Sequence, residues 1–397
     1  LHAPVTGALR VLVAAFGDAG HAFPAIALAR ALAGRGHEVV VETWERWREP
    51  VEEAGLGFTG AEEYKVFPPP PPGSNGPTAA AAARSLVPFI EEMRPDVVVS
   101  DILTVAPTLA AEVAGVPRAT LIPHVYPVHE DGLPFFGFGL RAARTPVGRA
   151  VWRAGAPVLE AGLRRGRREL NEERTALELE PLERFHGGIS DGLVLVATYP
   201  QLEYPRRWPG HVHVTGPMFF ELPYPDVELP DGDEPLVLVA PSTSQDPEGK
   251  LVRVALEALA DEPVRVVATW NLEDGAPQVV APDNAVLVDW LSYSQVMPRA
   301  SVVICHGGHG TVARALADGV PVLVCPAIGD MAETGARVAW AGAGLMLPPR
   351  LLGASTLRIA SRSILREPRF AARAAGIGAD DRDGALLGAE SVERFVA

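Results

Sequence analysis

The sequence predicts an α/β protein of two Rossmann-like domains, each a doubly wound parallel sheet, facing each other across a cleft. Three observations carry this expectation. The first fifty residues run from an apolar strand through a glycine-bearing loop and an amphipathic stretch to "GRG" and a second apolar strand, a β–α–β unit. The same grammar returns at 95–123, lapses, and resumes at 236 as a series of short runs apolar on both faces, as strands of a covered parallel sheet are. An internal echo pairs "EVAGVPRATLIP" (112–123) with "ALADGVPVLVCP" (315–326), both reading helix end, Gly-Val-Pro, strand, proline. At about 100–200 residues per domain, the 397 residues accommodate two large cores.

In chain order, "RVLVAA" (10–15) is the first strand. A helix runs from Pro24 to Ala33, with proline in its first turn and Ala25, Leu28, Ala29 and Leu32 on one face. "EVVVET" follows at 38–43, then "PDVVVSD" (95–101), a helix near 105–114 and "RATLIP" (118–123). Two loops fall outside this grammar. "FPPPPPGSNGP" (67–77) reads as a polyproline spacer or a bundled loop. "HVYPVHEDGLPFFGFG" (124–139) either lines an apolar ligand pocket or packs on its own aromatics. The basic run "RRGRREL" (164–170) reads as the solvated face of a helix, with an anion patch as the alternative. The second domain opens with "LVLVA" (236–240) and continues through "VRVVATW", "NAVLVDW", "SVVICH" and "PVLVCP". Boundaries follow at 1–217, a proline- and acid-rich linker at 218–233, a second domain at 234–380, and a helical stretch around 384–396 within 381–397 that returns to the first domain.

A net charge of −14 opposes a dominant nucleic-acid or anionic-membrane role, so an anionic ligand needs local donors. Cys305 and Cys325 each end an apolar run and suit small buried residues in a reducing compartment. No charged n-region precedes an apolar segment, and no apolar run approaches the roughly 18–20 residues that span a bilayer. These features lead us to expect a cytoplasmic protein.

"ICHGGHGT" (304–311) crowds two histidines and three glycines between a strand and a helix start. A metal site, a catalytic base and a phosphate cradle all fit such a reversal. The helix-opening N–H groups and bare backbone favour the cradle, and no further ligand set at metal spacing accompanies His306 and His309. "AFGDAGHAFP" (15–24) places His21 at the end of the first strand, where open parallel sheets bind ligands and where a neutral imidazole can take a proton from a hydroxyl. Asp101, ending "DVVVSD", would either orient that imidazole or cap a helix. A rival dinucleotide reading uses Gly17, Gly20 and Glu42, without the full G-x-G-x-x-G spacing. "DGD" at 231–233 reads as a solvated turn.

His21 together with "DWLSYSQVMPRASVVICHGGHGT" (289–311) resembles the inverting nucleotide-sugar glycosyltransferases of the GT-B fold, the family of bacterial antibiotic-tailoring and plant small-molecule enzymes. The likeness is most specific from Trp290 to Gly344. It implies a metal-independent transfer in which His21 is the base and Asp101 its partner. Trp290 would stack on the donor's base, and Leu291 would offer backbone contacts. His306, Gly308, Gly310 and Thr311 would hold the pyrophosphate, with Thr243 and Ser244 on the phosphate-side loop. Asp330 matches the carboxylate that holds sugar hydroxyls. Ser292 and Tyr293 replace the usual Pro-Gln, Arg314 stands where a ribose-binding glutamate is often found, and Met331 replaces a glutamine beside Asp330. Loss of a ribose acceptor favours dTDP over UDP, and methionine suits a deoxygenated carbon. The expectation is therefore a deoxysugar moved from a dTDP donor, as co-substrate with no further cofactor, to a hydroxyl of an apolar natural-product aglycone. The alternatives are a UDP-hexose donor, a nucleotide-sugar epimerase, a noncatalytic nucleotide-sugar or aglycone binder, and an NAD-dependent oxidoreductase.

Overall fold

The computed structural model describes residues 7–61, 78–184, 189–242, 246, 248–270, 279–327 and 329–397. In the first half the order is β1 (Arg10–Ala14), α1 (Ala19–Gly34), β2 (Glu38–Thr43), α2 (Arg48–Glu53), β3 (Gly57–Gly60), α3 (Ala79–Met93), β4 (Val97–Asp101), α4 (Val105–Val113), β5 (Arg118–Ile122), α5 (Pro146–Ala176), β6 (Leu193–Val196) and β7 (Val212–Val214). The second half runs β8 (Leu236–Ala240), α6 (Lys250–Leu259), β9 (Arg265–Thr269), β10 (Ala285–Val288), α7 (Tyr293–Val296), β11 (Val302–Cys305), α8 (His309–Ala317), β12 (Val322–Val324), α9 (Asp330–Ala341), β13 (Gly344–Met346), α10 (Ala354–Arg366), α11 (Pro368–Gly378) and α12 (Gly384–Val396).

Two sheets result. The seven-stranded one has the order β3-β2-β1-β4-β5-β6-β7, the six-stranded one β10-β9-β8-β11-β12-β13, and the registered pairs are parallel. Each strand order reverses once, between β1 and β4 and between β8 and β11. Such switch points open a crevice at the carboxyl ends of the strands, because the connections on either side leave in opposite directions. Both faces of the first sheet are covered. Val11 and Val13 join α1 in one core cluster, while Leu12 joins Ala83 of α3 and Leu109 of α4 in another. Alternation along β1 thus serves two cores rather than a core and solvent.

The structure corrects the sequence reading at several places. Helix α1 begins at Ala19, so Pro24 lies inside it and His21 sits in its first turn rather than in the preceding loop. The proline withdraws one hydrogen bond, to the carbonyl of Gly20, and burial of Ile26, Leu28 and Leu32 at about 1.5–3 kcal/mol per large side chain offsets that loss. The stretch between 123 and 236 is not a complete lapse. "LVLV" at 193–196 is β6, fully buried, and with β7 it extends the first sheet beyond the 31-residue α5. The basic run lies within α5, where Arg165 pairs with Glu169 at 2.9 Å while Leu170 is buried.

Helix α12 lies on α1 and β6 of the first sheet, although it follows the second in sequence. Gly388 allows this contact, since a Cβ there would stand 2.7 Å from Met218 Cε and 3.0 Å from Leu28 Cδ1. Arg35 donates to both carboxylate oxygens of Glu393 at 2.7 and 2.8 Å, and His37 Nε2 lies 2.8 Å from the same group. Together Arg35 and His37 pull the Glu393 carboxyl down to about 2. Cys305 and Cys325 are buried and free. Among the described residues no helix is long and apolar enough to cross a membrane.

Candidate active site

The first switch point brings together the end of β4 and the start of α1. His21 Nδ1 stands 2.8 Å from Asp101 Oδ1, with Asp101 wholly buried and His21 17% exposed. Asp101 Oδ2 also accepts from the Phe16 and Leu103 amides at 3.3 and 3.4 Å. The N-cap of α4 is Thr104, so the carboxylate orients the imidazole and does not cap that helix. With the Nδ1 proton on Asp101, Nε2 of the neutral ring is the free basic atom. Burial alone would lower the His21 pKa, but the Asp101 charge and hydrogen bond, with Asp330 and Asp18, carry it above the ordinary 6.5.

Trp44 and Trp47 brace the loop before His21. Trp44 packs on Phe16 with ring centroids 5.0 Å apart, and Trp47 Nε1 donates to the Gly17 carbonyl at 2.7 Å. Glu42, the acid of the dinucleotide reading, is buried without a cation, and burial pushes its carboxyl up to about 8. A group so enclosed does not present the exposed carboxylate that reading requires.

The 124–139 loop lies beside this pair and packs on its own aromatics. His124 stacks on Phe136 at 5.6 Å and meets the His21 ring edge-on at 6.3 Å. Its Nδ1 donates to the Val125 carbonyl at 2.8 Å, and burial, with His21, lowers its pKa. Sequence reasoning noted the loop without singling out His124, because nothing local marks an imidazole that only folding brings beside another.

At the second switch point, β11 ends in the glycine turn and α8 starts at His309, with Gly308 as N-cap. Gly307 has φ +93°, and a Cβ there would come within 2.7 Å of the Met331 carbonyl oxygen; one at Gly308 would collide with the His306 ring. Two glycines are therefore required by close approach, while Gly310 faces open space. His306 Nδ1 donates to the Ala240 carbonyl at 3.2 Å, and burial lowers its pKa. The two histidines of the motif part company. His309 is buried towards Ala197 and His124 without closing a hydrogen bond, and desolvation drives it down to about 3. Among the described residues no group of three or more His, Cys, Asp or Glu is arranged to hold a metal.

Around this turn, Thr311 lies beside the Tyr293 hydroxyl, which burial raises to about 12. Trp290 is half exposed, its ring parallel to Tyr224 at 5.9 Å, and Leu291 is buried behind it. Ser292, at the altered position, accepts from the Tyr224 amide at 3.2 Å and so anchors the interdomain segment to the aromatic platform. Arg314 caps the Phe219 ring at 4.3 Å. Asp330 opens α9, followed by Met331, and its charge adds to that of Asp101 in holding the His21 pKa up. Thr243, Ser244 and the 67–77 loop lie outside the described residues.

Residues 11–120 match the model of the glycosyltransferase family 28 N-terminal domain, and residues 253–386 match that of the erythromycin biosynthesis protein CIII-like C-terminal domain. The chain is 30% identical over 401 residues to 4'-demethylrebeccamycin synthase of Lentzea aerocolonigenes, covering 92% of this chain and 94% of that protein. It is 29% identical over 412 residues to O-mycaminosyltylonolide 6-deoxyallosyltransferase of Streptomyces fradiae, covering 93% of each. The crystal structure of the glycotransferase of kitacinnamycin superposes with a TM-score of 0.78 at 20% identity, over 98% of this chain and 99% of that one. Two parallel-sheet domains, a switch point in each and relatives along nearly the whole length agree: the chain belongs to the bacterial natural-product glycosyltransferases of the GT-B fold.

Proposed function

We propose that this glycosyltransferase moves a deoxysugar from a dTDP donor to a hydroxyl of an apolar aglycone, with inversion and with His21 as base. The observation that carries the reading is the 2.8 Å contact of His21 with buried Asp101 at one switch point, opposite the glycine turn at the other. His21 Nε2 takes the acceptor proton as the oxygen attacks the anomeric carbon from the side away from the nucleotide. The amide groups opening α8 meet the charge that develops on the departing diphosphate, where Gly310 leaves the approach clear. His306, whose Nδ1 proton is spent on Ala240, donates to the diphosphate from Nε2 once the anion's charge has raised its pKa enough for the ring to take up a proton from solvent.

Thr243 and Ser244 would complete the phosphate side, Trp290 would carry the base, and Asp330 would hold sugar hydroxyls, with the Met331 side chain against a carbon that lacks one. The donor assignment is supported by Arg314 occupying the ribose acceptor's position, where it stacks on Phe219, and by the 6-deoxyallosyl group in the Streptomyces fradiae relative's name. A cytoplasmic setting is supported by the free, buried thiols of Cys305 and Cys325, which suit a reducing compartment.

A donor-by-acceptor screen read by mass tests this. Transfer is expected from dTDP-deoxyhexoses, with the product anomer opposite to the donor's by NMR. His21→Ala is expected to lower turnover by about 10²–10⁴-fold with nucleotide binding retained. Efficient use of UDP-glucose with no dTDP-sugar turnover would sink the donor assignment, and undiminished transfer by folded His21→Ala would sink the base.

A further inference from the structure

We propose that the buried Glu203–Arg337–Glu333 cluster is a positioning device that couples occupation of the diphosphate site to the geometry of the 124–140 loop beside His21. The inference rests on the donor reading above. It starts at Gly307, whose backbone is seated against the Met331 carbonyl so closely that a Cβ would lie 2.7 Å away. The glycine turn and the first turn of α9 are therefore in direct contact, and a ligand that settles the turn bears on the helix.

In that same first turn of α9, Glu333 Oε2 accepts from the Gly137 amide at 3.3 Å and Oε1 lies 3.4 Å from Arg337. Gly139, with φ +63°, is pressed on Ala332, where a Cβ would stand 2.9 Å from the carbonyl oxygen. Arg337 then crosses to the first domain. Its guanidinium lies 3.5 Å from Glu203 and 4.0 Å from the centre of the Tyr204 ring. Glu203 accepts from the Tyr126 amide at 2.6 Å, and the Tyr204 hydroxyl donates to the Leu140 carbonyl at 3.0 Å. The loop is thus held at Tyr126, Gly137 and Leu140 by one cluster, with Phe136 between the first and last of these and stacked on His124.

Asp330, Glu333 and Arg337 share one face of a rigid helix, spanning about 10 Å. The side chains of Glu203, Glu333 and Arg337 are at most 5% exposed, yet the ion pairs are long. Burying such charges costs about as much as their attraction returns, so an apolar contact would hold the domains together equally well. What the cluster adds is direction, because charged hydrogen bonds to the Tyr126 and Gly137 amides fix where the loop sits.

The test uses the full chain, with dTDP and UDP as probes in parallel. Hydrogen exchange of the 125–140 amides is followed with and without nucleotide in wild type, Arg337→Met, Arg337→Lys and Glu333→Gln, alongside calorimetric affinity. Nucleotide is expected to slow exchange in the wild-type loop by at least about fivefold. Arg337→Met is expected to lose that response with affinity held within about twofold, and Arg337→Lys to recover part of it. Glu333→Gln, equal in size, carries the same expectation if Arg337→Met does not fold. A loop that responds equally in wild type and variants, or not at all in wild type, overturns the coupling while leaving the donor reading intact. Failure of both nucleotides to bind wild type overturns the donor reading, and the coupling with it.

Discussion

His21 shows how two opposing terms set the state of a single residue. Its burial favours the neutral ring, Asp101 favours the cation, and the balance lies above the ordinary value, so a fraction of the free enzyme holds the base already protonated near neutrality. The acid limb of kcat/KM is therefore expected to rise with pH through a midpoint above 6.5. Asp101→Asn removes the raising partner and leaves the burial. That limb should move to lower pH while the plateau falls, because the amide no longer enforces the Nδ1–H tautomer. A pH–rate profile of both proteins checks this, and an unmoved limb would detach it from His21. The place of His21 just after the first strand was legible in the sequence. Its contact with Asp101 was legible only as one of two options, since capping and orienting use the same carboxylate, which in the structure meets the His21 ring and the Phe16 and Leu103 amides, none of them within α4.

Among the elements, the turn from β11 into α8 shows why one motif needs several glycines. Gly307 must adopt φ +93° against the Met331 carbonyl, and Gly308 must leave room for His306. Gly307→Ala is accordingly expected to cost about 1–3 kcal/mol in stability and to weaken nucleotide binding, as seen by thermal melting and calorimetry. A variant with wild-type melting and affinity would show that the turn can shift. The strand and helix flanking the motif were readable from apolar spacing. The divergence of His306 and His309 was not, since a spacing of three says nothing of which ring faces Ala240 and which faces the other domain. Strand β6 is the converse case: "LVLV" carries the same signal as "LVLVA" at 236–240, but proline-rich flanks and the long α5 hid it from a reading that expects short connections.

At the level of the whole molecule, the two crossings between domains touch, Gly384 lying against the carbonyls of Gly216 and Pro217. Helix α12 then contributes Ala389 and Val392 to the core of the first domain. Removing residues 384–397 is expected to expose that face of α1 and to lower the melting temperature of the first domain by several degrees, at roughly 4–8 °C per kcal/mol for a small domain and less for a larger one. Differential scanning calorimetry of the truncated chain gives the answer, and an unchanged melt would reduce α12 to an appendage.

By itself the sequence determined the parallel-sheet architecture, its division into two sheets and the position of the glycine turn, because those follow from periodicity and from local conformations that only certain residues accept. Only the tertiary structure decided which side chains meet. His21 against Asp101, His124 beside His21 and Arg337 between two glutamates join residues far apart along the chain. Those meetings are set by the switch points of two sheets and by how one sheet faces the other, and no local pattern encodes that geometry.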